Sequence, residues 1–135
     1  MIKTNIDFIM KKLLPLFLVL LLVSCSSKET TLEKELNKVY STGLVKNVTD
    51  AGTTYDFDYG DQAEKADADV EQMRTVFEKT MGAAPNAVYP NLYGENNAVT
   101  TIWGWEQEKI KAYIQTTKTT GGNVKVRYTV IPVKK

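Results

Sequence analysis

The side chains able to do covalent or metal chemistry are few. The 135-residue chain has one cysteine, Cys25, and no histidine. Without histidine neither a Ser-His-Asp nor a Cys-His nucleophile can be assembled, and zinc sites built from His and Cys are excluded too. No glycine-rich phosphate loop appears. Acids are plentiful, so hydrolysis by paired carboxylates stays formally open, but spacing singles out no pair. The stretch Asp56-Phe57-Asp58-Tyr59-Gly60-Asp61 has the Asp-x-Asp start of a calcium loop. It then departs from the EF-hand pattern: the glycine falls at the fifth place, and Asp67 occupies the twelfth, where a bidentate glutamate belongs. A half-buried strand running into a helix accounts for the same residues, with Phe57 and Tyr59 facing a core. The expectation is a protein with no catalytic residue, no metal and no cofactor.

What remains is recognition chemistry. Trp103-Gly104-Trp105, with Tyr89, Tyr93 and Tyr113, offers aromatic surface for a protein or a sugar, since aromatics are enriched at interface centres. The candidate binding surface is therefore Tyr89, Tyr93, Trp103 and Trp105. The opposing account is that Trp103 and Trp105, two apart on one strand, are simply core. Gly104 between them marks a bulge or a close backbone approach, and Ile102 points to the other face. Lys109, Lys111, Lys125 and Arg127 fall on the solvent side of neighbouring strands, where they solvate a sheet or attract anionic headgroups.

The N-terminus says where such a protein works. Lys11 and Lys12 are followed by an apolar run over residues 13–23, broken only by Pro15, and then by Ser24-Cys25. A charged start, a short apolar stretch and small residues at a cut site make a secretory signal. A run of about 11 residues falls short of the roughly 20 that a spanning helix needs. Leu22-Val23-Ser24-Cys25 resembles, at all four positions, the lipobox of bacterial lipoproteins. The resemblance implies that the Cys25 thiol receives a diacylglyceryl group, that the signal is cut between Ser24 and Cys25, and that the new amine is open to acylation. Residues 1–24 are then the signal, and the only attached group is the covalent lipid on Cys25. Met10-Lys11-Lys12 is the usual start of such a signal, so Met10 is the expected initiator. In the Gram-negative sorting pattern an aspartate after the cysteine retains a lipoprotein in the inner membrane. Ser26 stands there instead, which leans toward the outer membrane.

The signal carries Lys3, Lys11 and Lys12 against Asp7, so its removal takes the net charge from +1 to −1. With no basic stripe, nucleic acid is not an expected partner. The single cysteine leaves no internal disulfide, so packing alone must stabilise the domain in an oxidising compartment.

The elements that must position these groups read as follows. Residues 25–29 are the lipidated cysteine and a short tether, and residues 30–135 form a single domain. Thr30 and Glu33 make a capping box ahead of a helix whose stripe is Leu32, Leu36, Val39 and Tyr40, closed by Gly43. Strands at 44–49 and 53–59 flank the turn Asp50-Ala51-Gly52, with Tyr55, Phe57 and Tyr59 on one face. Asp61 caps a second helix with the stripe Val70, Met73, Val76, Phe77, Thr80 and Met81, stopped by Gly82 and Pro85. Residues 83–97, with two prolines and several asparagines, read as a long loop and hence a candidate interaction segment. Residues 98–105, 109–117 and 124–130 alternate cleanly and form a three-strand meander, with a hairpin loop at 119–123.

The fold class is therefore α+β: two helices packed on an antiparallel sheet of about five strands. The order of elements from residue 61 to 132 is similar to that of small accessory lipoproteins of the outer-membrane assembly machinery. That similarity carries no residue with it. Three roles are compatible with these features: a membrane-anchored, non-catalytic module binding an envelope protein, a lipoprotein binding a small ligand or glycan through its Tyr/Trp surface, and an inhibitor or exclusion lipoprotein. If Cys25 is the anchor, Cys25→Ala should move the protein from the membrane fraction to the aqueous one and abolish its acyl mass increment. Membrane retention of that variant would refute the lipobox reading.

Overall fold

A computed structural model describes residues 27–134. The signal at 1–24, the Met10 start, the cut between Ser24 and Cys25, the lipid on Cys25 and the sorting position Ser26 all lie outside the described residues. Two α-helices and six strands are found among those described: α1 (Lys28–Val39), β1 (Val45–Val48), β2 (Thr53–Gly60), α2 (Ala63–Met81), β3 (Ala87–Tyr93), β4 (Val99–Glu106), β5 (Ile110–Lys118) and β6 (Val124–Pro132). The strands form one sheet in the order β1-β2-β6-β5-β4-β3, and every neighbouring pair is antiparallel. The protein is α+β, as the residue pattern predicts. The strand count is a correction: six instead of about five, with a C-terminal meander of four strands, β3 to β6, instead of three.

The extra strand comes from residues 83–97, expected as a loop. Residues 87–93 pair with β4, from Ala87 opposite Gly104 to Tyr93 opposite Val99, with a register shift between Tyr89 and Leu92. Pro90 and Asn91 fill that irregularity, and Asn91 adopts a positive φ of 53°. Proline lacks the N–H a central strand must donate, but an edge strand has one side without partners, where it is tolerated. The bulge also breaks the alternation by which a strand is recognised in sequence. A one-turn 3-10 helix, Glu95–Asn97, then leads into β4.

The helices also differ at their ends. α1 begins one turn earlier than Thr30: Ser27 is the N-cap, its Oγ accepting from Thr30 N–H at 3.2 Å. Lys28 and Glu29, expected in the tether, belong to this helix. Its C-cap is Tyr40, not Gly43, with Tyr40 N–H donating to the Leu36 carbonyl at 2.8 Å. α2 is capped at Gln62 without a side-chain bond, not at Asp61. Gly82 ends it in the left-handed region, φ 72°, the terminator expected from the sequence.

Both helices cover the same side of the sheet. Leu32, Leu36 and Tyr40 of α1 and Ala66, Val70, Met73, Phe77 and Met81 of α2 are buried. They meet the inward residues of the strands: Tyr55 and Tyr59 of β2, Val124, Val126, Tyr128 and Val130 of β6, Ala112 and Ile114 of β5, and Trp105 of β4. Burying each such large apolar side chain contributes about 1.5–3 kcal/mol before entropy is counted. Among the described residues, the other face of the sheet carries no helix. There Asp56 and Asp58 of β2 stand opposite Arg127 and Lys125 of β6, and the Arg127 guanidinium grips Asp56 with two bonds, 2.6 and 3.1 Å.

The β1–β2 turn is held by reciprocal backbone bonds between Thr49 and Gly52. Gly52 has no room for a side chain: a Cβ would sit 2.6 Å from the Val130 carbonyl oxygen, backbone that cannot swing aside. Gly121, in the β5–β6 loop, would meet nothing closer than 4.0 Å. Gly52→Ala should therefore lower stability by about 1–3 kcal/mol while Gly121→Ala leaves it nearly unchanged, as read by thermal denaturation.

Candidate functional site

The four aromatic residues expected to form one binding surface are not brought together. Trp105 is 1 % exposed; it packs on Phe77 with ring centroids 5.3 Å apart and donates its indole N–H to the Ala83 carbonyl at 2.9 Å. It is core, with its one polar atom satisfied. Trp103, two residues earlier on the same face, is partly buried and packs at the margin of the core. Tyr89 pairs with Ile102 and so faces the open side of the sheet. Tyr93 pairs with Val99 and lies on the helix side.

Tyr89 and Tyr93 are nonetheless both exposed on the same edge strand, on opposite faces of it. On β3, Val88, Tyr89, Leu92 and Tyr93 are 47, 50, 44 and 80 % exposed. Among the described residues neither a helix nor a second strand covers the outer side of β3, which leaves them there. Sequence reasoning named the two tyrosines and missed Val88 and Leu92. Their signal was present as large apolar residues inside the supposed loop, hidden by Pro90 and Asn91. On the open face behind them, Gly104 makes room for the Tyr113 ring: a Cβ on Gly104 would lie 2.8 Å from it. This is a close approach at residue 104, and the β4–β5 register runs through it unbroken. Tyr113 donates its hydroxyl proton to Glu106 at 2.6 Å. Burial and that carboxylate push its pKa up to about 12.

Trp103 forms one wall of a cleft of about 300 Å³ between α2 and strands β3 to β5. The Arg74 guanidinium lies 4.9 Å over its ring, a cation–π pair, and also donates to Glu71 at 2.9 Å. Lys118 faces Asp67 across the same cleft at 3.3 Å. Two cations and two anions therefore balance there, beside Thr101, Thr116 and Asn91.

The acidic stretch at 56–61 is otherwise engaged. Asp56 pairs with Arg127, and Asp58 accepts from Gly60 N–H at 2.9 Å. Tyr59 is buried, and Phe57 packs at the margin of the core. Among the described residues no group of three or more acidic side chains could hold a metal ion. The basic residues are likewise dispersed. Arg127 and Lys125 answer the acids of β2, Lys111 stands opposite Glu106, and Lys109 lies in the β4–β5 turn.

One polar cluster was not anticipated. Three buried tyrosine hydroxyls meet under the helices: Tyr128 with Tyr40, Tyr40 with Tyr59 at 2.7 Å, and Tyr59 with Asp69 Oδ2 at 2.8 Å. A carboxylate oxygen only accepts and each hydroxyl has one proton, so the donors run from Tyr128 through Tyr40 and Tyr59 to Asp69. Burial raises the pKa of all three tyrosines above the ordinary value. The bonds satisfy polar groups that would otherwise be unpaired in the core.

The chain matches no protein-family model, no curated protein and no solved structure. Among the described residues no helix is long and apolar enough to cross a membrane.

The tyrosine cluster sets an alkaline limit. Its folded-state pKa values are raised, so its contribution is complete below the unfolded value near 10 and is lost as pH rises above it, where the unfolded chain releases protons the folded one keeps. Urea denaturation should show stability falling from pH 9 to 11. Tyr128→Phe, which removes one such hydroxyl, should make the fall shallower by up to about 1.4 kcal/mol per pH unit. Parallel slopes for the two proteins would contradict this.

Proposed function

We propose that this chain is a non-catalytic lipoprotein of the bacterial cell envelope, held by acyl chains on Cys25, that docks another envelope protein through strand β3. The observation that carries the docking is the exposure of Val88, Tyr89, Leu92 and Tyr93, four large apolar side chains on one edge strand, two on each face. Tyr89 and Leu92 flank the irregularity on the open face of the sheet, and Val88 and Tyr93 lie on its helix side, so a partner that wraps the edge of β3 would meet both pairs. Tyrosines supply large contact area at low entropic cost and are enriched in interfaces.

The edge also says how a partner would bind. Pro90 and the register shift interrupt the free hydrogen-bonding side of β3, which blunts the addition of a long partner strand. Recognition then rests on side chains, with at most a short backbone match. A lipid anchor supports this role by confining the domain to the surface where its partner lies, which raises their effective concentration. Ser26 favours the outer membrane as that surface, and an exclusion role is the same reading with a foreign protein as the partner.

A second reading, a small-ligand or glycan-binding lipoprotein, draws on the cleft beside Trp103. Its balanced charges and its Thr and Asn groups suit a neutral, hydroxyl-rich ligand. Arg74 already covers the indole face, and a ligand must displace it. This makes the protein-docking reading the stronger of the two.

The lipidated protein, crosslinked in its native envelope, should recover one protein in near-stoichiometric amount. The double variant Tyr89→Asp/Tyr93→Asp, still folded by its melting temperature, should lose at least 10-fold of that recovery. Unchanged recovery refutes β3 as the interface. A change in tryptophan emission on adding a glycan, abolished in Trp103→Phe, would favour the second reading.

A further inference from the structure

The two ends of the sheet are not equivalent. Ser27, where the described chain begins, lies at the same end as the β4–β5 turn: Lys28 Nζ donates to Gln107 Oε1 at 3.1 Å. The C-terminal segment reaches this end too, with Val133 N–H donating to the Lys109 carbonyl at 2.9 Å. Between them is a cleft of about 540 Å³ lined by Ser27, Lys28, Gln107, Lys109, Ile110 and Pro132. Val133 is an exposed apolar side chain beside it. The opposite end carries the β5–β6 loop at 119–123. Nine-residue strands connect the ends, so at about 3.3 Å per residue they are roughly 30 Å apart.

We infer that the end formed by Ser27, the β4–β5 turn and Val133 is the bilayer-facing surface of the domain. The inference rests on the acylation of Cys25 proposed above. Cys25 precedes Ser27 by two residues, which span at most about 7 Å. An acylated sulfur sits at headgroup level, so Ser27 is held within that distance of it. A domain some 30 Å long and tethered so closely cannot present its far end to the lipid. α1 continues the constraint, because its N-terminus is fixed to the β4–β5 turn by Lys28 and capped by Ser27.

The chemistry of this end agrees with an interface. Lys28, Lys109 and Lys134 can reach headgroup phosphates, while Ile110, Pro132 and Val133 offer apolar surface between them. Glu29 and Glu108 are interleaved with the lysines, so net positive charge is small and the anchor, not charge, holds the domain in place. The contact should therefore persist on neutral lipid. The orientation has a consequence for docking. β3 runs from Ala87, paired near the end of β4 close to this surface, to Tyr93 at the far end. At about 3.4 Å per residue, Tyr93 stands about 20 Å farther from the bilayer than Ala87.

Because Cys25 is the only cysteine, once it is acylated an introduced thiol can be labelled alone. Lys109→Cys, Lys134→Cys and Thr120→Cys would each be made in the full chain, labelled with a fluorophore, and reconstituted in phosphatidylcholine vesicles carrying a headgroup nitroxide. Quenching at 109 and 134 should exceed that at 120 at least threefold. Equal quenching at the three sites, or stronger quenching at 120, with the protein in the vesicle fraction, overturns the orientation alone. Recovery in the aqueous fraction overturns the anchor and the orientation with it.

Discussion

The pairing of β2 with β6 is the contact on which the rest of the architecture depends. It joins residues some seventy positions apart, with Tyr55 opposite Tyr128 and Phe57 opposite Val126. Without it, β1 and β2 would be an isolated two-stranded hairpin, which is marginal in water. The pairing places β2 beside the meander, gives α2 a surface made by β2, β5 and β6 to cross, and creates the pocket in which Tyr40, Tyr59 and Tyr128 meet. A chain without a disulfide in its folded domain has only such burial to oppose the entropy of so long a closure.

One-sided coverage follows from the same arrangement. Two helices are enough to cover β2, β6 and β5, and the cover fails toward β3. Trp105 is therefore core, and Trp103, only two residues away, is partly buried at the core's margin with Arg74 as its partial lid. Farther out, β3 is bare. The gradient from a closed interior to an open edge leaves Val88, Tyr89, Leu92 and Tyr93 exposed on one strand, the feature on which the proposed docking rests. Pro90 and the adjacent irregularity keep that strand from nonspecific pairing, and Lys46 serves the same end on the opposite edge strand, β1.

The anchor and the edge are geometrically independent. One end of the sheet lies next to Ser27, and the exposed side chains of β3 line an edge of the sheet. If the proposed anchor holds, such a domain can meet a partner laterally without competition between the two contacts.

The residue pattern alone determined what depends on local periodicity and on chemistry that is absent. The helix stripe Leu32, Leu36 and Tyr40, the stripe from Val70 to Met81, the Gly82 stop and, to within a residue or two of their ends, the alternating strands read at 109–117 and 124–130 are all legible, because a period of 3.6 or 2 is imposed by the burial of one face. The lack of histidine fixed which nucleophiles are impossible, and Leu22-Val23-Ser24-Cys25 supported the lipobox resemblance. Only the tertiary structure could decide where coverage ends. Trp103 and Trp105 have the same local pattern, and their difference lies in the reach of α2. β3 was illegible because its bulge breaks period two and its pairing energy comes from β4, not from its own sequence. Ser27 replaced Thr30 as the cap, since several Ser and Thr residues compete there and the docking of Lys28 on Gln107 helps select the first turn. The tyrosine cluster unites residues 40, 59 and 128, and no local rule could show that three hydroxyls from two strands and a helix end would share one set of protons.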